Sequence, residues 1–309
     1  MTALPLIQVT DDVDDVLAAQ YNALLAPFSL LQPGGRLTLT TAVPVTTSDV
    51  TGATTVYYTP YVTDRVPLWD GTFWQPITFT EKSLALGTIT AALPYDVFGY
   101  ASSGDLALEK LAWTSGTARA TAISIQGGRY CKTGDKTRLY LGTFYTTATT
   151  TTEDSAARRY LWNMYNRCPR TLYCSDATNT WAYTTATIRA ANNDTTDGTG
   201  RVAFLLGLAE DAVSAQSVIE FANTNTGVGV GGGIGLDVTN AITGLKPWTT
   251  TALANGYITF TAAYSGFPAV GVHFLQRVEY STATGTTTWL GDGGAATLNQ
   301  SGMTGTVRA

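Results

Sequence analysis

Apolar and polar residues alternate along most of this chain with the two-residue period of a strand. RLTLTTAV sets Leu37 and Leu39 against Thr38 and Thr40. Similar short runs recur at TTVYYTPYV, RVPLW, ITFTE, YDVFGY, LALEKLAW, ATAISI, RYCK and TRLYLGTFY. Turn signals separate them: QPGGR at 32–36, Asp70-Gly71, SSGD at 102–105 and Gln126-Gly127-Gly128. Residues 33–146 therefore predict a β-sandwich or barrel domain. A second series fills 170–309, from TLYCSD and WAYTTATIRA through RVAFLLGLAE, SVIEFANT and YITFTAAYS to AVGVHFLQRVEYS, TTTWLG and MTGTVRA. Long loops between these runs predict a C-terminal jelly-roll-like β-sandwich.

Two stretches carry a helical period instead. Val13, Leu17, Tyr21 and Leu24 fall on one face, Asp11 or Asp12 can cap the first turn, and Pro27 ends the run. This predicts an N-terminal helix within residues 1–32. Its apolar stripe needs a partner, either its own domain, a neighbouring subunit or a socket in a larger assembly. The second stretch is TTATTTTEDSAARRYLWNMYNRCP at 146–169. Thr151-x-x-Asp154 resembles a capping box, and Ala157, Tyr160, Leu161, Met164 and Cys168 share a helical face that Pro169 closes. A threonine-rich linker and helix at 147–169 is the expectation. The fold class predicted is mainly β, with these two helices flanking the first of two β domains.

Composition sharpens this picture. Threonine supplies about 55 of the 309 residues, a bias toward β-branched side chains that suit a pleated surface. Charged residues make up 13%, against roughly 25% in an average soluble protein, so hydroxyls rather than charges dress the solvent face. Net charge is -5 and the 18 basic residues form no stripe, which argues against nucleic acid as a partner. No run is long and apolar enough for a membrane span, so membrane insertion is not expected. The N-terminal residues MTALPLIQVTDDVDD lack a basic and then apolar leader pattern. Cys131, Cys168 and Cys174 are then expected as free thiols of a chain folded in a cytoplasm.

Candidate chemistry is sparse. GVGVGGGIGLD matches a dinucleotide fingerprint at Gly227, Gly229 and Gly232 but continues as a strand, not a helix. Val228, Val230, Ile234 and Leu236 take one face. Gly227, Gly229, Gly231, Gly233 and Gly235 take the other, a bare face for close approach at a subunit or sheet contact. His273, the single histidine, alternates with Arg277 and Glu279 on a face expected to be solvated or at an interface. NNDTTDG at 192–198 reads as an Asx-rich turn. Tyr57, Tyr58, Tyr61, Trp69 and Trp74 form the densest aromatic cluster, suited to core or subunit packing and alternatively to stacking on sugars. No catalytic residue, metal site or cofactor is predicted.

Longer strings carry a family resemblance. DDVDDVLAAQYNALLAP resembles the N-terminal helix of many bacteriophage virion proteins. LQPGGRLTLTTAVPVTTSDVTGATTVYYTPYVTDRVPLWDGTFW is similar to a module of phage tail-fibre and head-fibre proteins. So are FTEKSLAL, YDVFGY, LALEKLAWTSGTARAT and YLGTFYTTATTTTEDSAARRYLWNMYNR, which extend the resemblance over residues 10–170. The resemblance implies a virion structural protein, made in the host cytoplasm and exposed on the particle. It implies a homotrimeric fibre or spike, anchored by its N-terminus to portal, tail or capsid proteins, with its C-terminal β domain outward toward host glycan. The alternatives are a glycan-cleaving tailspike enzyme, or a capsid decoration protein with no receptor role.

Overall fold

The computed structural model describes residues 32–309. The helix expected over Val13, Leu17, Tyr21 and Leu24 lies outside the described residues.

The described chain is mainly β. Six short strands come first: β1 (Gly35–Thr38), β2 (Val50–Ala53), β3 (Thr55–Pro60), β4 (Arg65–Trp69), β5 (Trp74–Thr78) and β6 (Lys82–Ala85). β7 (Pro94–Ser102), β8 (Asp105–Ala112), β9 (Ile123–Gln126), β10 (Arg129–Lys132) and β11 (Asp135–Tyr145) follow, then β12 (Thr152–Asp154), β13 (Arg158–Arg159) and β14 (Leu161–Asn163). The remainder holds β15 (Pro169–Ser175), β16 (Thr180–Ala182), β17 (Arg189–Ala190), β18 (Arg201–Leu206), β19 (Val213–Asn223) and β20 (Gly229–Leu236). It closes with β21 (Trp248–Thr250), β22 (Ile258–Gly266), β23 (Gly271–Ser281), β24 (Thr287–Leu290) and β25 (Gly302–Arg308).

Local turn chemistry sets the registers. Ser102 pairs with Asp105 across Ser103-Gly104, both at positive φ, the geometry that two-residue hairpins require. Gln126 pairs with Arg129 across Gly127-Gly128 in the same way. In the β4–β5 hairpin the Asp70 carboxylate accepts the N–H groups of Thr72 and Phe73, each at 2.7 Å.

The sheet β8-β7-β11-β10-β9, with β14 paired to β11, is apolar on both faces. Val97, Leu139, Leu141, Phe144 and Leu161 face one core with Leu37, Val56 and Leu68. Their neighbours Phe98, Tyr140 and Trp162 face a second core with Leu172, Val202, Phe204 and Met303. This makes the sheet a middle layer between the two cores. A register shift between Tyr140 and Gly142 adjusts the alternation along β11. Gly142 has φ 154°, and any Cβ there would run into the Trp162 carbonyl.

The sheet β2-β12-β13-β18-β23-β20-β21 draws strands from both ends of the described chain. The sheet β15-β25-β19-β24-β16, with β22 paired to β19, packs over it. A third, smaller core of Ile219, Phe221, Val228, Val230, Ala262 and Trp289 belongs to this half.

The expected linker helix at 147–169 is replaced by β12, β13 and β14, and among the described residues there is no α-helix. The helical stripe fails because the residues off it are buried too. Thr152, Asp154, Arg159, Trp162 and Asn163 are each under one-tenth exposed, so no face is left for solvent. Asn163 accepts the Leu37 N–H at 2.6 Å and donates to the Leu37 carbonyl at 3.2 Å, standing in for a strand neighbour. The Thr151 hydroxyl pairs with Thr147 rather than capping a turn. Pro169 opens β15 and terminates no helix.

Candidate interaction surface

Four adjacent strands present an outward face made largely of hydroxyls. β15 alternates buried Leu172 and Cys174 with exposed Thr171 and Tyr173. β25 alternates buried Met303 and Val307 with exposed Thr304 and Thr306. β19 sends Val213 and Ala215 inward and Ser214, Gln216 and Val218 outward. The ladders bring these positions into rows. Thr171 pairs with Thr306, Thr306 with Ser214, and Ser214 with Ser265 of β22. The next row runs Tyr173, Thr304, Gln216 and Ala263. An open trough of about 380 Å³ lies over β22, β19 and β25, between Ser265 and Thr306. The short hydroxyl and amide groups around this trough can each donate and accept hydrogen bonds, and Tyr173, 47% exposed, is the β15 ladder partner of Thr304 at its edge.

Several charged groups, by contrast, are turned inward and matched. Arg119 donates from Nε to Asp96 at 2.8 Å and from Nη2 to the Tyr140 hydroxyl and the Gly207 carbonyl. Thr143 donates to the other Asp96 oxygen at 2.7 Å. Burial pushes the Asp96 pKa up, opposed by the guanidinium and by Thr143. Asp154 accepts from Arg159 at 3.1 Å and from Arg170 at 2.8 Å, and Arg170 also bonds the carbonyl and hydroxyl of Thr46. Arg36 reaches the carbonyls of Pro44, Asn166 and Ala309. These contacts fasten the first strands to β12–β15 and to the end of β25.

The residues singled out in the sequence land in separate places. His273 is buried, not solvated: Nδ1 lies 2.8 Å from Asp237 and Nε2 2.8 Å from the Ala269 carbonyl. Burial alone would lower its pKa, but the hydrogen bonds to Asp237 and Ala269 and the Asp237 charge hold it above the ordinary value. Arg277 and Glu279, expected on a solvated face with it, are 2% and 1% exposed. The glycine face of β20 is covered by the chain's own 238–250 segment. The Trp248 ring covers Gly229 and Gly231, Ile242 covers Gly233, and the carbonyls of Val238 and Ala241 close on Gly235. Gly227 precedes the strand at φ 70°, with open space around it. The five aromatics do not form one platform. Tyr58 and Trp74 are buried in the first core, Trp69 meets Trp74 edge-on at 5.5 Å, and Tyr57 is partly buried. Tyr61 is exposed beneath the Arg36 guanidinium at 5.7 Å.

In NNDTTDG, Asp194 accepts the Thr196 N–H at 2.7 Å, and Asp197 pairs with Arg158 and Arg201. All three cysteines are free thiols. Among the described residues no cluster of His, Cys, Asp or Glu is placed to hold a metal ion, and no helix is long and apolar enough to cross a membrane. Composition predicts a hydroxyl-dressed surface, but not that these four strands share one such face, although the signal is there. Thr-x-Tyr at 171–173, Ser-x-Gln at 214–216 and Thr-x-Thr at 304–306 each alternate with core residues.

No family model matches the chain, and no curated protein matches it. Solved structures give distant likenesses. One is dimeric latent PorU from Porphyromonas gingivalis, at 8% identity and TM-score 0.28, covering 72% of this chain and 24% of that one. Another is the insecticidal delta-endotoxin Cry8Ea1 from Bacillus thuringiensis, at 7% identity and TM-score 0.24, covering 84% and 49%. A third is infectious bursal disease virus Gt strain, at 10% identity and TM-score 0.29, covering 86% and 73%. The chain thus spans about a quarter of the PorU chain and half of the toxin. At these TM-scores no common fold is drawn from them.

Proposed function

We propose that this chain is a structural component of a bacteriophage virion. In this reading it is a trimeric fibre or spike, attached through residues 1–32, with the jelly-roll-like 170–309 region outward and its hydroxyl face offered to a host-surface glycan. The observation that carries the reading is the division of chemistry in the described chain. Its outward sheet face is hydroxyl and amide, whereas its ionic groups at Asp96, Asp154 and Glu279 are buried and bonded to arginines. Such a body offers a broad contact surface and no assembled acid, base or nucleophile at the trough. The resemblance of residues 10–170 to fibre proteins supports the same reading. The test is immunogold electron microscopy of particles from a phage that encodes this chain. Label on a fibre, spike or surface projection is expected. Particles that carry no label, with the chain found only in the infected cell, would end the proposal. Host polysaccharide incubated with purified protein should gain no reducing ends, and a rise would favour the tailspike enzyme.

A further inference from the structure

β22 is an edge strand, paired with β19 alone among the described residues. The Ala263 carbonyl turns away from β19, because it accepts the Leu245 N–H at 2.8 Å. Main-chain groups alternate between the two sides of a strand, so Thr259 and Thr261 point their N–H and C=O groups the same way. Those four groups, and the Ala263 N–H, meet no main-chain partner among the described residues. Both threonines are exposed. The outer edge of β22 is therefore an open ladder over Thr259 and Thr261.

Two other long edges are guarded. At the opposite edge of the same sheet, β15 is partly covered: Tyr173 donates its N–H to the Ala156 carbonyl at 2.9 Å, and Ser175 to the Gly198 carbonyl at 3.2 Å. β8, at the edge of the middle sheet, carries Glu109 and Lys110, and charges discourage strand addition. β22 has no charge of its own, and residues 247–276 contain no Asp, Glu, Lys or Arg. Apolar side chains frame it instead. Leu245 stands beside Ala263, Leu253 and Tyr257 precede the strand, and Phe267 follows it, each 69–72% exposed.

We propose that the outer edge of β22 is a contact between copies of this chain, where a neighbouring copy adds an extended segment to the ladder. The proposal rests on the trimeric reading above and names the surface through which the chains meet. Main-chain bonds to Thr259 and Thr261 complete the ladder, and the framing apolar side chains are buried beside it. An edge without charge matches a surface equally free of charge, and the 247–276 stretch of another copy supplies one. About a three-fold axis, two different parts of that stretch meet, and the ring closes.

Amide hydrogen exchange on the full-length protein, read together with its mass in solution, tests this. In an assembled native protein the Thr259 and Thr261 amides should exchange at least about tenfold more slowly than in a Thr261→Lys variant, whose lysine opposes strand addition. Thr261→Pro removes the outward N–H but no bond to β19, a change an edge strand tolerates. It should give a single-chain mass with the β fold intact and free the Thr259 amide. If the proline variant fails to fold, the native exchange data and the lysine variant decide. An assembled native protein whose Thr259 and Thr261 amides exchange freely overturns the contact and leaves the trimer standing, as do variants that keep the native mass. A native protein of single-chain mass overturns both, and protected amides at that mass would mean that the chain covers its own edge.

Discussion

His273 meets an acceptor at each ring nitrogen, Asp237 on one side and the Ala269 carbonyl on the other. Only the doubly protonated ring can donate to both, which is why its pKa lies above the usual 6.5 despite burial. A raised folded-state pKa fixes the sign of the linkage. The stabilisation is complete below the unfolded value and fades as pH rises through the folded one. The melting temperature should therefore fall as pH rises above the ordinary histidine value of 6.5, and Asp237→Asn should lessen the slope. A native slope equal to that of the variant would contradict this. The Asp96–Arg119 pair has larger consequences. Arg119→Met strands a carboxylate that is 2% exposed, and such losses cost about 3–5 kcal/mol. Asp96→Asn should cost less, because Thr143 and Tyr140 still reach one another at 2.5 Å. Chemical denaturation of both variants checks the order. None of these pairings was legible in the sequence. His273 and Asp237 are 36 positions apart, and only the fold brings them together.

At the scale of elements, β20 is the sharpest case. Its alternation of glycine with Val230, Ile234 and Leu236 marked a strand with one bare face, and a strand is what forms. What covers the bare face could not be read, because it is the 238–250 segment, irregular up to the short strand β21 that carries Trp248. The cover differs along the strand, so the cost of adding a side chain should differ too. At Gly235 a Cβ would stand 2.5 Å from the Val238 carbonyl, backbone that cannot swing aside. At Gly231 the nearest atom is 3.2 Å away. Gly235→Val should lose about 1–3 kcal/mol to overpacking, and Gly231→Ala markedly less. Equal melting curves for the two would refute this account of the cover. The 147–169 segment teaches the opposite lesson. Its apolar residues fit a helical face as well as a strand, and periodicity could not see that Trp162 and Leu161 belong to different cores. Tertiary burial on both sides overrode the local pattern. The hairpin turns at Ser103-Gly104 and Gly127-Gly128, in contrast, were legible, because their positive φ is written in residue type.

For the whole molecule, the proposed fibre or spike rests on two surfaces of different kinds. The proposal puts the glycan contact on the hydroxyl face over β15, β25, β19 and β22. Gln216→Trp would fill the trough and should abolish binding to host polysaccharide while leaving the melting temperature close to native. Retained binding would place the contact elsewhere. Exposed apolar side chains at Leu245, Leu253, Tyr257 and Phe267 cluster in the connections around β21 and β22, each about 70% exposed. In the proposed trimer these side chains would be buried against neighbouring copies, and the closed assembly would also cover sheet edges. The most direct test is the mass of the purified full-length protein by light scattering at micromolar concentration. The account predicts three times the 32.7 kDa of one chain. A single-chain mass with the β fold intact by circular dichroism would contradict it.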